Sequence, residues 1–501
     1  MLWIILMKHN TSKAIHDQIA IIDIGSNSVR FVIYEIHGAA FTPIYNEKIL
    51  AGLGRDLQRT GNLHVEGVEQ AFSALKRYKV LVNELEIETV LIAATAAMRD
   101  AKDAPAFIKR VKDEIGFDIT PLSGAQEAFV SAMGVVSGDV RSQGIAVDLG
   151  GASLELIEIK NAHAQDGVTY PLGPFSMFEN SFDPVEMRAR IKAELDNGQP
   201  HKTGQDLFLI GGAWRNLFII HQKRTGYPLR VANNYRLEVD EANTLAQWAY
   251  SEEGVDIIKS WRGLSSRRAD TLPYSGLLLT VLLDILKPRS VIVAPGGLRE
   301  GLVYNSLSRE VKSRTALFDA CHALAGGGEE GIGFGQSLFD FLNGLDARLP
   351  KYFSYENENR LRKAACILAS LGKGLHPDHK ARMVFRAVIY APLPDISHEE
   401  RAYLALMLFS SYTSKTSTPN DEVLTHFLSD EAQLSARIYG DAMRLGADIS
   451  GRSHKVLLLC HWGNLSEKLH LNIQHGYEDL FTDKVDTRLA DLNALITSAH
   501  L

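Results

Sequence analysis

The feature that most constrains the fold of this chain is a pair of glycine-rich turns, each set between two short apolar segments. The first is AIIDIGSNS at residues 20–28, and the second is GIAVDLGGAS at residues 144–153. A second apolar run follows each turn, at 29–34 and at 154–159. Each segment therefore predicts a β-hairpin whose tip lies in solvent.

Both tips carry groups suited to phosphate. Glycine lets backbone amides approach phosphate oxygens without a Cβ in the way. The strand before each tip ends in an acid, Asp23 or Asp148, which can hold Mg²⁺ directly or through water. For Asp23 the alternative is an Asx-turn that satisfies its own backbone. Two such hairpins, facing each other across a cleft, resemble the phosphate grip of the actin-like ATPase and sugar-kinase superfamily.

The pattern of strands and helices divides the chain into segments. Strand and helix signals alternate to about residue 306 and predict two similar α/β lobes, at 18–137 and 138–306. Helical periodicity then dominates 307–445, and a small α+β domain follows at 446–501. Residues 1–17 are predicted to be a disordered extension, because their apolar start is too short for a signal peptide. The predicted elements also include strands at 118–122 and 455–459 and helices at 65–86, 103–115 and 124–137.

Composition narrows the classes of function. The chain has 501 residues with 46% apolar and 23% charged residues, which is ordinary for a globular enzyme. A net charge of −7 argues against general nucleic-acid binding. Three scattered cysteines predict reduced thiols and a cytoplasmic location. We found no run near the roughly 20 apolar residues of a membrane span, so no membrane partner is expected.

Several motifs together resemble the exopolyphosphatase / guanosine pentaphosphate phosphohydrolase family. They are DIGSNS (23–28), ATAAMR (94–99), SGAQEA (123–128), DLGGASLEL (148–156) and APGGLREG (294–301). The resemblance implies two actin-like, ribonuclease H-like lobes around a cleft, followed by an all-α HD-like domain without HD metal ligands and a small α+β tail. It also implies hydrolysis of terminal phosphoanhydride bonds.

The resemblance assigns the general base to Glu127. Such hydrolysis needs a carboxylate that orients and deprotonates water in line with the phosphorus. Gln126 stands where many relatives have another acid, which makes Glu127 the sharper candidate. The alternative is that Glu127 only complements the dipole of the helix it begins.

The resemblance assigns the metal-linked acids to Asp148 and Glu155, which would hold the Mg²⁺ cofactor. Seven positions apart across a hairpin, they share a face only if the tip closes as a tight turn. The alternative is that Glu155 is a solvent-facing strand residue. Ala152 departs from the family, where many members have a third glycine, and this leaves the shape of the tip open.

The remaining matched positions predict phosphate contacts. A guanidinium at Arg99 can make bidentate contacts to a polyanion, although a solvated helix-start arginine is the alternative. In sugar kinases the turns of the second lobe hold adenosine, and here the indole of Trp214 could crowd a base. The predicted phosphate-binding residues are Asp23, Gly25, Ser26, Asn27, Arg99, Gly150, Gly151, Ala152, Ser153, Gly212 and Gly296.

The helical region lacks the ligands of a second active site. In relatives this region resembles an HD domain, whose metal needs a His-Asp pair on one helix. The corresponding stretch here, ASLGKGLHPDH at 369–379, has no adjacent His-Asp pair, and His376 and His379 alone cannot complete a metal site. A groove for polymer or a homodimer contact is the expected role. Basic clusters favour a polyanion partner, although charged helix faces are usually only solvated: Lys76, Arg77, Lys79; Lys109, Arg110, Lys112; Arg262, Arg267, Arg268.

The resemblance therefore predicts a Mg²⁺-dependent exopolyphosphatase that removes terminal orthophosphate processively from inorganic polyphosphate. One alternative is hydrolysis of guanosine pentaphosphate to the tetraphosphate, the reaction of the stringent response, by the same chemistry. A second is an ATP-binding actin-like kinase or ATPase, which would need an adenosine pocket. A third is a catalytically silent regulatory protein, disfavoured by Glu127, Asp148 and Glu155.

Overall fold

The computed structural model describes residues 18–177, 182–196, 202–264, 266–326, 328–463 and 468–499. The predicted extension at 1–17 lies outside these residues. The chain divides between Pro121 and Leu122 into two compact units. The predicted domain bounds stay predictions, and each unit is described by itself below.

The first unit is built on a four-stranded sheet. The strands are β1 (Gln18–Ile24), β2 (Val29–His37), β3 (Ala40–Ile49) and β4 (Thr89–Ala94). Their order is β3-β2-β1-β4, with β1 antiparallel to β2 and parallel to β4. The first predicted hairpin is confirmed as β1–β2.

The described residues of the first unit also form the helices α1 (Leu57–Thr60), α2 (Val65–Glu84), α3 (Ala96–Asp100) and α4 (Ala104–Ile115). The core lies between the sheet and the longer helices, where Phe31 stacks on Tyr78 at 4.7 Å between ring centroids. The predicted strand at 118–122 is wrong: only an isolated bridge joins Ala94 to Pro121. Proline has no amide to donate to a ladder, which ends the pairing there.

The second unit contains a six-stranded sheet. The strands are β5 (Gly144–Leu149), β6 (Leu154–Lys160), β7 (His163–Tyr170), β8 (Asp206–Ile210), β9 (Arg236–Glu238) and β10 (Ser290–Val293). Their order is β7-β6-β5-β8-β10-β9. The second predicted hairpin is confirmed as β5–β6, and β5 runs parallel to β8 as β1 does to β4.

Helices cover both faces of this sheet. They are α5 (Gly124–Gly138), α6 (Pro174–Met177), α7 (Pro184–Asp196), α8 (Gly212–Arg224), α9 (Val239–Ala249), α10 (Glu252–Ser260), α11 (Ser266–Leu286) and α12 (Leu298–Ser306). On one face Val147, Leu149 and Leu156 join the core formed with α7, α8, α9 and α11. The neighbouring residues in each strand point to the opposite face, where α5 packs on β5, β6 and β7.

Part of helix α11, Ala269–Leu286, is long and apolar enough to cross a membrane by length and composition alone. The sequence-based expectation that no apolar segment approaches this length overlooked this helix. Most of this stretch is buried inside the second unit, where Leu277, Leu278 and Leu282 are fully enclosed. A core helix of a globular domain passes the same test, and the burial is typical of one.

The next helices are α13 (Arg309–Lys312), α14 (Ala316–Ala325), α15 (Gly328–Asn343), α16 (Tyr355–Leu368), α17 (Lys380–Tyr390), α18 (His398–Ser410), α19 (Asp421–Phe427) and α20 (Asp430–Ser450). From α14 onwards they contribute to a separate core of the second unit, whereas α13 has no buried residue. The predicted helical texture is therefore confirmed. Helix α18 lies at its centre, with nearly every residue buried.

The last segment holds α21 (His454–Leu457), β11 (Cys460–Trp462), β12 (Leu471–Ile473), a 3₁₀ turn (Glu478–Leu480) and α22 (Asp483–Ala499). The predicted strand at 455–459 is wrong, because most of it is α21. Periodicity alone does not separate a short apolar run in a strand from one in a helix.

Candidate active site

The two glycine-rich tips close in the same way. In the first, the amide of Gly25 donates to the carbonyl of Ser28 at 3.0 Å. In the second, the amide of Gly150 donates to the carbonyl of Ser153, also at 3.0 Å. The likeness expected from the sequence therefore extends to the hydrogen bond that closes each hairpin.

The second hairpin places two carboxylates side by side. Asp148 and Glu155 are direct partners in the antiparallel register, so both side chains lie on the same face of the sheet. Glu155 is only 2% exposed, which rules out the alternative of a solvent-facing strand residue. Like charges directly opposite each other are unfavourable by themselves. Such a pair is suited to a hard cation that bridges or neutralises it.

The carboxylate of Asp148 also lies beside the start of α8. A β-carbon at Gly211 would lie 3.7 Å from Asp148 Oδ1 and 3.0 Å from the carbonyl of Leu149. Gly211 has φ +115°, which favours glycine, and it is the N-cap of the 13-residue helix. The positive end of the α8 dipole therefore favours negative charge at this edge of the sheet.

Helix α5 brings Glu127 to the same face. Gly124, in its first turn, lies against Thr169: a β-carbon there would be 3.3 Å from Thr169 Oγ1. Thr169 is in turn the β7 partner of Glu155. The first turn of α5 and the two carboxylates of the hairpin thus share one side of the sheet.

Glu127 is not the residue that caps α5. The capping box is made by Ser123 and Gln126: the Ser123 amide donates to Gln126 Oε1 at 2.9 Å, and the Gln126 amide donates to Ser123 Oγ at 3.2 Å. The position that carries an acid in many relatives serves the helix start here. Glu127 is half-buried one residue further on.

The tip of the second hairpin is held from behind. The carbonyl of Ala152 accepts from the amide of Gly173 at 3.1 Å and from Ser176 Oγ at 2.7 Å. Within the described part of the chain, no protein acceptor takes the amides of Gly151 and Ala152. Ala152 has a negative φ, so its Cβ causes no backbone strain. The departure from a third glycine is therefore compatible with an amide-lined tip.

The tip of the first hairpin is held similarly. Gly52 donates to the carbonyl of Asn27 at 3.0 Å, and Gly54 donates to that of Ser26 at 2.8 Å. Opposite Asp23 in the register stands Arg30, so this hairpin pairs a carboxylate with a guanidinium where the second has two carboxylates. Sequence reasoning missed Arg30, although its place seven residues after Asp23 is the counterpart of Glu155.

Arg99 lies at the same edge of the first sheet. Strands β1 and β4 are parallel, and the Thr95 amide, just after β4, donates to the carbonyl of Ile24 at 3.1 Å. Arg99 follows in α3, at the surface, with its Nε donating to Asp100 Oδ1 at 3.1 Å. The structure thus brings Arg99 to the edge where Asp23 and the first tip stand.

The two second-lobe glycines differ in setting. Gly212 is exposed at the start of α8, and no side chain caps this helix. The start of a helix in this state can bind an anion through its first backbone amides. Gly296 is buried, and a β-carbon there would lie 2.5 Å from the carbonyl of Gly134 in α5. Its phosphate contact stays a prediction, since close packing already explains the glycine. Trp214 is fully buried in the core, so its indole does not crowd a ligand.

The side chains available as ligands limit the kind of metal site that can form. Among the described residues, no group of three or more His, Cys, Asp or Glu side chains is arranged to hold a metal ion. Two carboxylates, Asp148 and Glu155, fit Mg²⁺ nonetheless, because Mg²⁺ usually keeps several waters and takes phosphate oxygens as ligands.

The basic clusters are mostly engaged in local ion pairs, which at exposed positions contribute little. Arg77 pairs with Glu47 at 3.0 Å, and Lys112 pairs with Asp118 at 3.0 Å. The side chains of Arg267 and Arg268 lie outside the described residues. The clusters therefore give little support to a cationic track for polymer.

The two hairpin sheets with matching tips are typical of an actin-like fold. A family model described as the Ppx/GppA phosphatase family matches residues 32–310, and another described as exopolyphosphatase, C-terminal, matches 352–500. The chain belongs to the Ppx/GppA phosphatase family.

The chain is also similar to individual known proteins. The chain is 24% identical over 437 residues to retrograde regulation protein 2 of Saccharomyces cerevisiae, covering 78% of this chain and 72% of that one. It is 27% identical over 332 residues to guanosine-5'-triphosphate,3'-diphosphate pyrophosphatase of Aliivibrio fischeri, covering 61% and 63%. It therefore spans less than two thirds of that enzyme's length. A crystal structure of the Aquifex aeolicus Ppx/GppA family member matches with 25% identity and a TM-score of 0.52, covering 60% of this chain and 99% of that one.

Proposed function

We propose that this protein is an exopolyphosphatase that removes terminal orthophosphate processively from inorganic polyphosphate with the help of Mg²⁺. The observation that carries the proposal is the second hairpin: a braced, amide-lined tip, with Asp148 directly opposite Glu155 and the first turn of α5 on the same face. Phosphoryl transfer depends chiefly on positioning and on neutralising charge, and these parts supply both.

Each part has a role in the proposed reaction. The amides of Gly151 and Ala152 bind oxygens of the terminal phosphate. Glu127 accepts a proton from a water in line with the phosphorus. Asp148 and Glu155 hold Mg²⁺, which when bound neutralises phosphate charge and polarises the bond that breaks.

In the first unit, the tip residues Ser26 and Asn27 and the guanidinium of Arg99 are proposed to bind phosphates as well. The role rests on their common place at one edge of the first sheet. The helical region at 307–445, proposed to be HD-like, would extend a groove for polymer or form a homodimer contact in the cytoplasm.

Hydrolysis of guanosine pentaphosphate is the second candidate, and the match to the Aliivibrio fischeri enzyme favours it. The match of 352–500 to a model described as exopolyphosphatase favours polyphosphate. The chemistry at the tip is the same in both, so the substrate end distinguishes them.

The test is phosphate release from long polyphosphate, tripolyphosphate, guanosine pentaphosphate and ATP, measured side by side with Mg²⁺ and with excess EDTA. The proposal predicts the highest kcat/KM on long polyphosphate and loss of release in EDTA. A preference for guanosine pentaphosphate would favour the second candidate, and one for ATP a kinase-like ATPase. No release from any substrate would overturn the enzyme proposal and favour a regulatory role.

A further inference from the structure

The C-terminal end of α5 is bound by the helical part of the chain. The amide of Asp395, in the loop between α17 and α18, donates to the carbonyl of Gly138 at 2.7 Å. The amide of Val140 donates back to Asp395 Oδ1 at 3.0 Å. The last turn of the helix that begins near Glu127 is therefore tied to a residue about 255 positions away in sequence.

Arg141 adds a second tie. Its Nη2 donates to the carbonyl of Asp395 at 3.1 Å, and its Nη1 donates to Asn357 Oδ1 at 3.1 Å. Arg360 supports the same loop, donating to the Asp395 carbonyl and to Glu400 Oε1, each at 2.5 Å. Charge-assisted bonds of this kind are about twice as strong as neutral ones.

Asp395 is held in an unfavourable conformation. Its φ is +52°, in the left-handed region that non-glycine residues rarely adopt. Burial and the nearby charge of Asp139 raise the pKa of its carboxyl to about 6. The left-handed backbone and the burial of the carboxyl both cost free energy, so the surrounding contacts must stabilise this conformation of Asp395.

The same loop also reaches the turn before α12. His398 Nε2 lies 2.9 Å from the carbonyl of Asn233, whose side-chain amide donates to the carbonyl of Pro295 at 3.1 Å. Asn234 donates from its side chain to the carbonyl of Ile396 at 3.2 Å. One segment, residues 395–400, thus contacts the end of α5 and, through Asn233, the turn next to Gly296.

Helices α5 and α12 approach each other closely through their backbones. Gly134 faces the carbonyl of Gly297, and Gly301 faces the carbonyl of Val130, so close that no β-carbon fits at either glycine. At these two points glycine leaves no side chain to form a ridge that would resist sliding of one helix along the other. The opposite side of α5 packs on β5, β6 and β7, and its C-terminal end is bound by residues 395–400.

We propose that residues 395–400 form a clamp that sets the axial position of α5, so that the helical region positions Glu127 for catalysis. The inference rests on the proposed function for its kinetic part. Asp395 and Arg141 are positioning residues, because the 15-residue length of α5 keeps them about 20 Å from the first turn.

The test compares variants of the full chain by kcat and KM for tripolyphosphate and by Tm. Arg141→Gln and Asp395→Ala should each lower kcat about tenfold or more with KM nearly unchanged, since misplacement of a reacting group by 1 Å costs up to about 10²-fold. Asp395→Asn keeps an oxygen that accepts from the Val140 amide, so it should recover most of kcat.

Arg188→Gln is the matched control. It also removes an arginine that donates hydrogen bonds, here to Asp284 and Thr280, but at another place in the unit.

Hydrogen exchange separates failure of the clamp from failure of the proposed function. The clamp predicts faster exchange along the whole of α5 in Arg141→Gln and Asp395→Ala, but not in Asp395→Asn. Unchanged kcat in an active protein, or faster exchange confined to residues 138–141, would overturn the clamp. A wild-type protein inactive on every phosphate substrate would instead overturn the proposed function, and exchange would then decide the clamp alone.

Discussion

Replacing Gly301 with alanine tests the packing on which the site depends. A β-carbon at Gly301 would lie 1.8 Å from the carbonyl oxygen of Val130, where ordinary contact begins near 3.4 Å, so α5 and α12 must separate by about 1.6 Å. Overpacking of this kind costs about 1–3 kcal/mol, while alanine returns about 1 kcal/mol of helix propensity. We expect a modest fall in Tm.

The effect on turnover should be larger than the effect on stability. Whichever helix yields, a predicted part of the site moves, because α5 carries Glu127 and α12 follows Gly296. A shift of this size should lower kcat about 10²-fold. Phosphate release and Tm are measured on Gly301→Ala beside Gly333→Ala in α15, where the new carbon would meet only the half-exposed side chain of His454 at 3.3 Å. Normal kcat in Gly301→Ala would refute the reasoning.

Two further predictions concern the metal and the pH dependence. Asp148→Asn should raise the Mg²⁺ concentration for half-maximal activity several-fold, because an amide is a poorer ligand for a hard cation, and an unchanged titration would show that Asp148 is structural. Burial lowers the pKa of His398 to about 4, against the hydrogen bond to the Asn233 carbonyl. Below about pH 6.5 this histidine is protonated in the unfolded chain but stays neutral in the folded protein until about pH 4. Stability is therefore lost as pH falls towards 4. Between pH 7 and 4.5 the Tm of wild type should fall further than that of His398→Phe, by the equivalent of roughly 3 kcal/mol, and equal falls would contradict the assignment.

The sequence was most informative where local pattern and chemistry agree. The apolar runs and glycine tips predicted both hairpins. The resemblance assigned Asp148 and Glu155, and the tight turn that would bring them to one face is present. The helix predicted at 124–137 is α5, Gly124–Gly138. These features depend on neighbouring residues, so they can be inferred without a structure.

Features set by distant contacts could not be inferred. Strand β3 was missed because one of its ten residues is buried and it contains Pro43, so its alternation is weak. Thr169 became part of the site only through its register with Glu155. The bond between Gly138 and Asp395 joins segments with no local signal of each other.

The central claim is that Glu127 activates water at a phosphate-binding tip, and its most direct test is the rate of phosphate release by Glu127→Gln. The variant keeps the size and polarity of the side chain but removes the base. We predict that kcat on polyphosphate falls about 10²–10⁴-fold while polyphosphate binding, measured separately, is largely retained. Near-normal kcat in a well-folded Glu127→Gln protein would contradict the account.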